Sequence, residues 1–95
     1  MKKESQYIYE NPQYVAKQIK SIIDIMLYKM SLESRVKAYP NLRKKINELN
    51  VPDMASKKTP GGASIGVSIS LIKNTLNGKN PAYITQVLDE LARML

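Results

Sequence analysis

Apolar residues recur along much of this chain at helical spacing. Val15, Ile19, Ile22, Ile23, Met26, Leu27 and Met30 form one wide stripe, with Lys17, Lys20, Asp24 and Lys29 off it. Asn11-Pro12 supplies the start: an Asn side chain accepts from first-turn amides, and Pro at the first helical position loses nothing. The pattern predicts a helix over 12–30. Ile25 lies off the centre of the stripe, so a second face of this helix is also expected to be covered.

Ser31 can cap a short helix through Ala38. Pro40 lacks the amide and biases Tyr39 away from helix, so a break is expected there. A further short helix over about 40–49 would turn Leu42, Ile46 and Leu49 inward and Arg43, Lys44 and Lys45 outward. Residues 50–63 read as a loop, punctuated by Pro52, Pro60, Gly61 and Gly62. This Gly pair is no phosphate loop, since no strand precedes it and no Gly-Lys-Ser/Thr follows. From Ile65 the pattern is double: Ile65, Val67, Ile69 and Leu71 alternate like a strand, while Ile65, Ile69, Ile72 and Leu76 repeat like a helix face. Asn77-Gly78 as a helix stop and Asn80-Pro81 as a new start favour helix. Ile84, Val87, Leu88, Leu91 and Leu95 then mark a last helix. The expected fold is all-α: one domain over 1–95, a small bundle of four to five helices. It comprises a loose arm over 1–10, N-terminal helices over 12–49, and a helix-turn-helix-like unit with a C-terminal helix over 64–95.

Composition narrows the chemistry. The 95 residues include no Cys and no His. Disulfides, thiolate nucleophiles and zinc-thiolate sites are excluded, as are the usual hydrolase triads. The eight carboxylates form no pair at an evident catalytic spacing. No enzymatic activity, metal or cofactor is expected. Met1-Lys2-Lys3 is followed by Glu4, Ser5 and Gln6 rather than an apolar run, and the most apolar window, 22–27, contains Asp24. Neither a leader nor a membrane span is expected, and a cytoplasmic protein is the default. The formal charge is +7, and its location matters: from Arg35 to Lys79 nine basic residues face only Glu48 and Asp53, while the flanks balance. A confined basic excess is the footprint of a phosphate-binding surface, although many small proteins carry one for solubility.

The run Gly66-Val67-Ser68-Ile69-Ser70-Leu71-Ile72-Lys73-Asn74-Thr75-Leu76-Asn77-Gly78-Lys79-Asn80-Pro81 resembles the helix-turn-helix of the Xre family, the Cro/CI-like repressors. In that family a Gly-Val-Ser turn leads into a recognition helix, an Asn-Gly-Lys follows, and Asn-Pro often opens the next helix. The resemblance implies that Gly66 makes the turn, that Val67 and Ile72 anchor the recognition helix over 68–77, and that Ser68 caps it. Ile69, Ser70, Lys73 and Asn74 would face bases in the major groove, and Ser68, Asn77, Gly78 and Lys79 would meet phosphates. Where the family carries Leu-Ala in the preceding helix, this chain has Gly61 and Gly62, leaving open whether a regular helix exists at 53–65. The implied function is a small DNA-binding transcriptional regulator of phage or mobile-element type, bound to double-stranded DNA as a homodimer. The alternative is a protein-binding helical module, a small inhibitor or assembly factor, with the 15–30 stripe and Ile69 and Leu71 meeting a protein partner.

Overall fold

A computed structural model of the chain describes residues 11–56 and 63–95. Within them lie four α-helices, α1 (Pro12–Tyr28), α2 (Leu32–Glu48), α3 (Ala63–Leu76) and α4 (Pro81–Met94), and a 3-10 segment, Val51–Ala55. The protein is all-α, as the periodicity predicts. The arm over 1–10 and the loop positions 57–62, including Gly61 and Gly62, lie outside the described residues.

Local chemistry accounts for three helix starts. Asn11 Oδ1 accepts from the Gln13 and Tyr14 amides at 2.8 and 3.3 Å. Ser31 Oγ accepts from Ser34 N at 3.2 Å, and Asn80 Oδ1 from Ala82 N at 2.8 Å. Each bond satisfies an amide that the helix itself leaves orphaned. Gly78 ends the α3 turn with φ +83°, the left-handed conformation that a Cβ disfavours.

The core is one apolar cluster drawn from all four helices. α1 packs chiefly along α4, and Val15, Ile19, Ile23 and Leu27 are buried on the α1 side, Ile84, Val87, Leu88 and Leu91 on the α4 side. α2 contributes Ala38, Leu42 and Ile46, and α3 contributes Ile69, Ile72 and Leu76. The 3-10 segment seats Met54 against α3 and α4.

Two expectations about helix boundaries fail. α2 runs unbroken through Pro40, where a break was expected. Pro40 sits on the exposed face, so its ring points away from the core, and the single backbone bond it cannot make is flanked by the buried row Ala38, Leu42, Ile46. Burying two such aliphatics contributes on the order of 3–6 kcal/mol, enough to offset the roughly 3 kcal/mol that an interior proline costs. The second concerns Gly66, which lies inside α3 rather than in a turn between two helices. A glycine in a helix costs only about 1 kcal/mol, and the face Ile69, Ile72, Leu76 outweighs it.

If the proline is tolerated at a cost, removing it should help. Pro40→Ala is expected to raise stability by about 1–3 kcal/mol, read as a higher urea midpoint at unchanged slope. An unchanged or lower midpoint would contradict a continuous α2.

Candidate functional site

The residues of the predicted recognition helix divide between core and surface. Ser68, expected as its cap, is fully buried in the second turn of α3. Ile69 is also fully buried and offers nothing to a groove. Lys73 is 5% exposed. Val67, expected as an anchor, is instead 53% exposed. The physical reason is the phase of the helix: Ile65, Ile69, Ile72 and Leu76 must face the core, so the outward strip of α3 is Val67, Ser70 and Asn74. With α3 beginning at Ala63, its free amides lie before the Gly-Val-Ser run and not at Ser68.

Part of the predicted set does come together. Ser70, Lys73, Asn74 and Asn77 line one cleft of about 340 Å³ against Met54, Ala55 and Ser56. Asn77, Gly78 and Lys79 are exposed at the carbonyl end of α3. The Asn77 amide donates to Lys73 O at 2.8 Å and the Lys79 amide to Leu76 O at 3.1 Å. Neither amide is therefore available to a phosphate, and the negative pole of a helix disfavours anions.

A second surface escaped the sequence reading. Where α1 ends and α2 begins, Ile25, Tyr28, Leu32 and Val36 are 64%, 74%, 69% and 64% exposed. A cleft of about 400 Å³ opens there, lined by Tyr28, Leu32 and Val36 together with Lys20, Asp24, Arg35 and Tyr39. Its floor is a hydrogen-bonded link between the helices: Asp24 accepts from Lys20 Nζ at 2.7 Å and from Tyr39 Oη at 2.6 Å. Burial pushes the Asp24 carboxyl up, but the bonds from Lys20 and Tyr39 and the Lys20 charge outweigh it and hold the group below its usual value. The bond to Asp24, followed by burial, pushes the Tyr39 phenol up to about 12. Arg35 lies with its guanidinium carbon 4.8 Å from the Tyr28 ring centroid, and its Nε is enclosed without a hydrogen-bond partner. The face of Ile25 was expected to be covered, and at 64% exposure it is not, because among the described residues no other helix packs against that side of α1. The continuation through Tyr28, Leu32 and Val36, each four residues apart, crosses a helix junction and so reads as no single periodic face.

Among the described residues no group of three or more Asp, Glu, His or Cys gathers as for a metal, and no helix is long and apolar enough to cross a membrane. Compared with protein-family models, curated proteins and solved structures, the chain matches none. The Xre resemblance therefore rests on the residues of 66–81 themselves.

The Asp24–Tyr39 link has a pH signature. Asp24 is held below its ordinary 3.8, so its contribution to stability is present above that value and lost as pH falls through the lowered one. Tyr39 is raised above its ordinary 10.0, so its contribution is full below pH 10 and lost as pH rises toward about 12. Absorbance titration is expected to show a late-ionising phenol assignable to Tyr39. Tyr39→Phe should delete that late phase and Asp24→Asn should move it down; persistence of the late phase in Tyr39→Phe would contradict the assignment.

Proposed function

We propose that this chain is a protein-binding helical module whose docking face is the corner between α1 and α2. The observation that carries the reading is the set of apolar side chains there, Ile25, Tyr28, Leu32 and Val36, each about two-thirds exposed or more, the last three lining one cleft. Exposed apolar side chains gathered at one corner, rather than scattered singly, mark an interaction site. The cleft supplies a concave seat and a few placed polar groups, the usual make-up of a recognition surface. Binding rather than catalysis is the role that suits a chain without Cys or His.

A photo-crosslinking residue placed at position 36 is expected to capture a partner inside cells, while the same residue at exposed Asn41 captures none. Leu32→Glu in the same chain should abolish the cross-link. Equal labelling from both positions, or none from either, would count against this reading.

A second reading, a DNA-binding regulator of phage or mobile-element type acting as a homodimer, is favoured by one observation: Ser70, Asn74 and Asn77 share one cleft edge, and Lys79 is exposed just beyond. In this form the outward strip of α3 meets base edges, with Asn74 suited to adenine, and Ile69 and Lys73 do not read bases. A gel-shift series in rising salt tests it. A regulator binds duplex DNA at low salt and loses affinity steeply, because phosphate contacts release counterions. Lys79→Ala should weaken binding to all sequences alike, and Asn74→Ala should alter sequence preference. No shift at low salt would end this reading.

A further inference from the structure

The cleft at the α1–α2 corner is charged as well as apolar. Two cations, Lys20 and Arg35, and one carboxylate, Asp24, line it. Asp24 has both oxygens committed inside the fold, to Lys20 and Tyr39. Arg35 is different. Among the described residues it makes no ion pair; it lies over the Tyr28 ring, with Nε enclosed and unbonded. Its terminal nitrogens are the part left to meet a partner. A guanidinium laid on an aromatic face is already ordered, so it loses little freedom when it takes a carboxylate in a forked pair. Around the corner, Lys29 and Lys37 are exposed, and among the described residues Glu33 is drawn on only by Lys37, at a loose 3.9 Å. The surroundings of the apolar patch are thus positive on balance.

That balance selects the occupant. A second copy would bring the same basic rim face to face with itself, on a chain whose net charge is +7. An acidic partner gains where a second copy loses. Secondary structure follows from shape: no strand exists among the described residues to pair with an extended peptide, and a trough between two helices accepts the apolar face of a third. Leu32 and Val36 lie one turn apart on α2, matching anchors one turn apart on such a helix, and Tyr28 at the end of α1 extends the same cleft wall.

We infer that the α1–α2 corner takes an acidic amphipathic helix of another protein, its apolar side chains seated on Tyr28, Leu32 and Val36 and one carboxylate held by Arg35. This inference rests on the protein-binding reading and gives the partner its chemistry.

The test uses the full chain and two synthetic helical peptides of equal length and identical leucine pattern, one with Glu and the other with Lys at every polar position. Fluorescence anisotropy is expected to show the Glu peptide binding at least about tenfold tighter than the Lys peptide, with the preference shrinking as salt rises. Arg35→Gln and Val36→Glu should each weaken the Glu peptide by about tenfold or more. Position 36 is 64% exposed, so Val36→Glu keeps the fold, as circular dichroism would verify, and guards against a loss caused by unfolding in Arg35→Gln. A Glu peptide that does not bind, equal binding of both peptides, or indifference to both substitutions overturns the inference. Sedimentation of the chain alone separates the levels. Self-association abolished by Val36→Glu, without preference for the Glu peptide, assigns the corner to a second copy: the acidic-helix inference fails and the protein-binding reading stands. No peptide binding, no self-association and no cross-link at position 36 overturns both.

Discussion

Ile19, Ile23 and Leu27 on one helix and Ile84, Val87 and Leu91 on another are all but removed from water, and the other elements close around the seam they form. Each such side chain contributes about 1.5–3 kcal/mol on burial, while each capping bond contributes about 1. The α1–α4 seam therefore sets the geometry, and the Asn-Pro starts at Asn11 and Asn80 only decide where its helices begin. α2 and α3 are held by what they can offer to this seam. For α3 the offer is Ile69, Ile72 and Leu76, and that fixes which way every other residue of the helix points. A recognition helix needs its readers on the face turned away from the core. Here the phase of the aliphatic residues sends Ile69 inward and Ser70 and Asn74 outward, whatever the local motif resembles.

Legibility followed the same division between local and non-local causes. The caps at Asn11, Ser31 and Asn80 and the stop at Gly78 depend on a few adjacent residues, and each could be read directly. So could the apolar faces of α1 and α4, whose periodicity is long. The double pattern from Ile65 was correctly settled by its end signals. Pro40 and Gly66 misled, because both are local penalties overridden by packing against residues far away in the chain. Ile22 shows the converse: its spacing placed it on the buried stripe, yet it is 45% exposed, since it lies at the edge of the face that α4 covers. The exposed corner was not legible: Ile25 standing off its stripe suggested a covered second face, and it is 64% exposed. The corner's remaining members come from two helices meeting at an angle, which no one-dimensional period encodes.

The corner also shows how a polar link and an apolar patch support each other. Tyr39 reaches from α2 to Asp24 on α1, and the Lys20 ammonium completes the pair. Such a part-exposed ion pair adds little stability by itself. Its value is geometric: it joins α1 to α2 in the same cleft that Tyr28, Leu32 and Val36 line, so these apolar side chains project from a braced junction. A surface that is ordered before binding loses less on binding.

The total charge acquires a different meaning once its members are located. The basic excess between Arg35 and Lys79 looked like a phosphate-binding surface when counted along the chain. In the fold, Arg35 stacks on Tyr28, Lys37 approaches Glu33, and Arg43 donates to Leu95 O at 2.9 Å. Lys73 is buried and engaged within the chain. Lys57 and Lys58 lie outside the described residues, which leaves Lys44, Lys45 and Lys79 as the rest of the set. Counterion release counts only the cations that reach phosphates, and exposed charges more than about 10 Å apart are largely screened from one another. A sum of charges along the chain therefore overstates an electrostatic surface whenever the fold uses its cations internally. Arg35 is the case where internal use orients a cation, because its stacking on Tyr28 holds the guanidinium in place beside the exposed Leu32 and Val36.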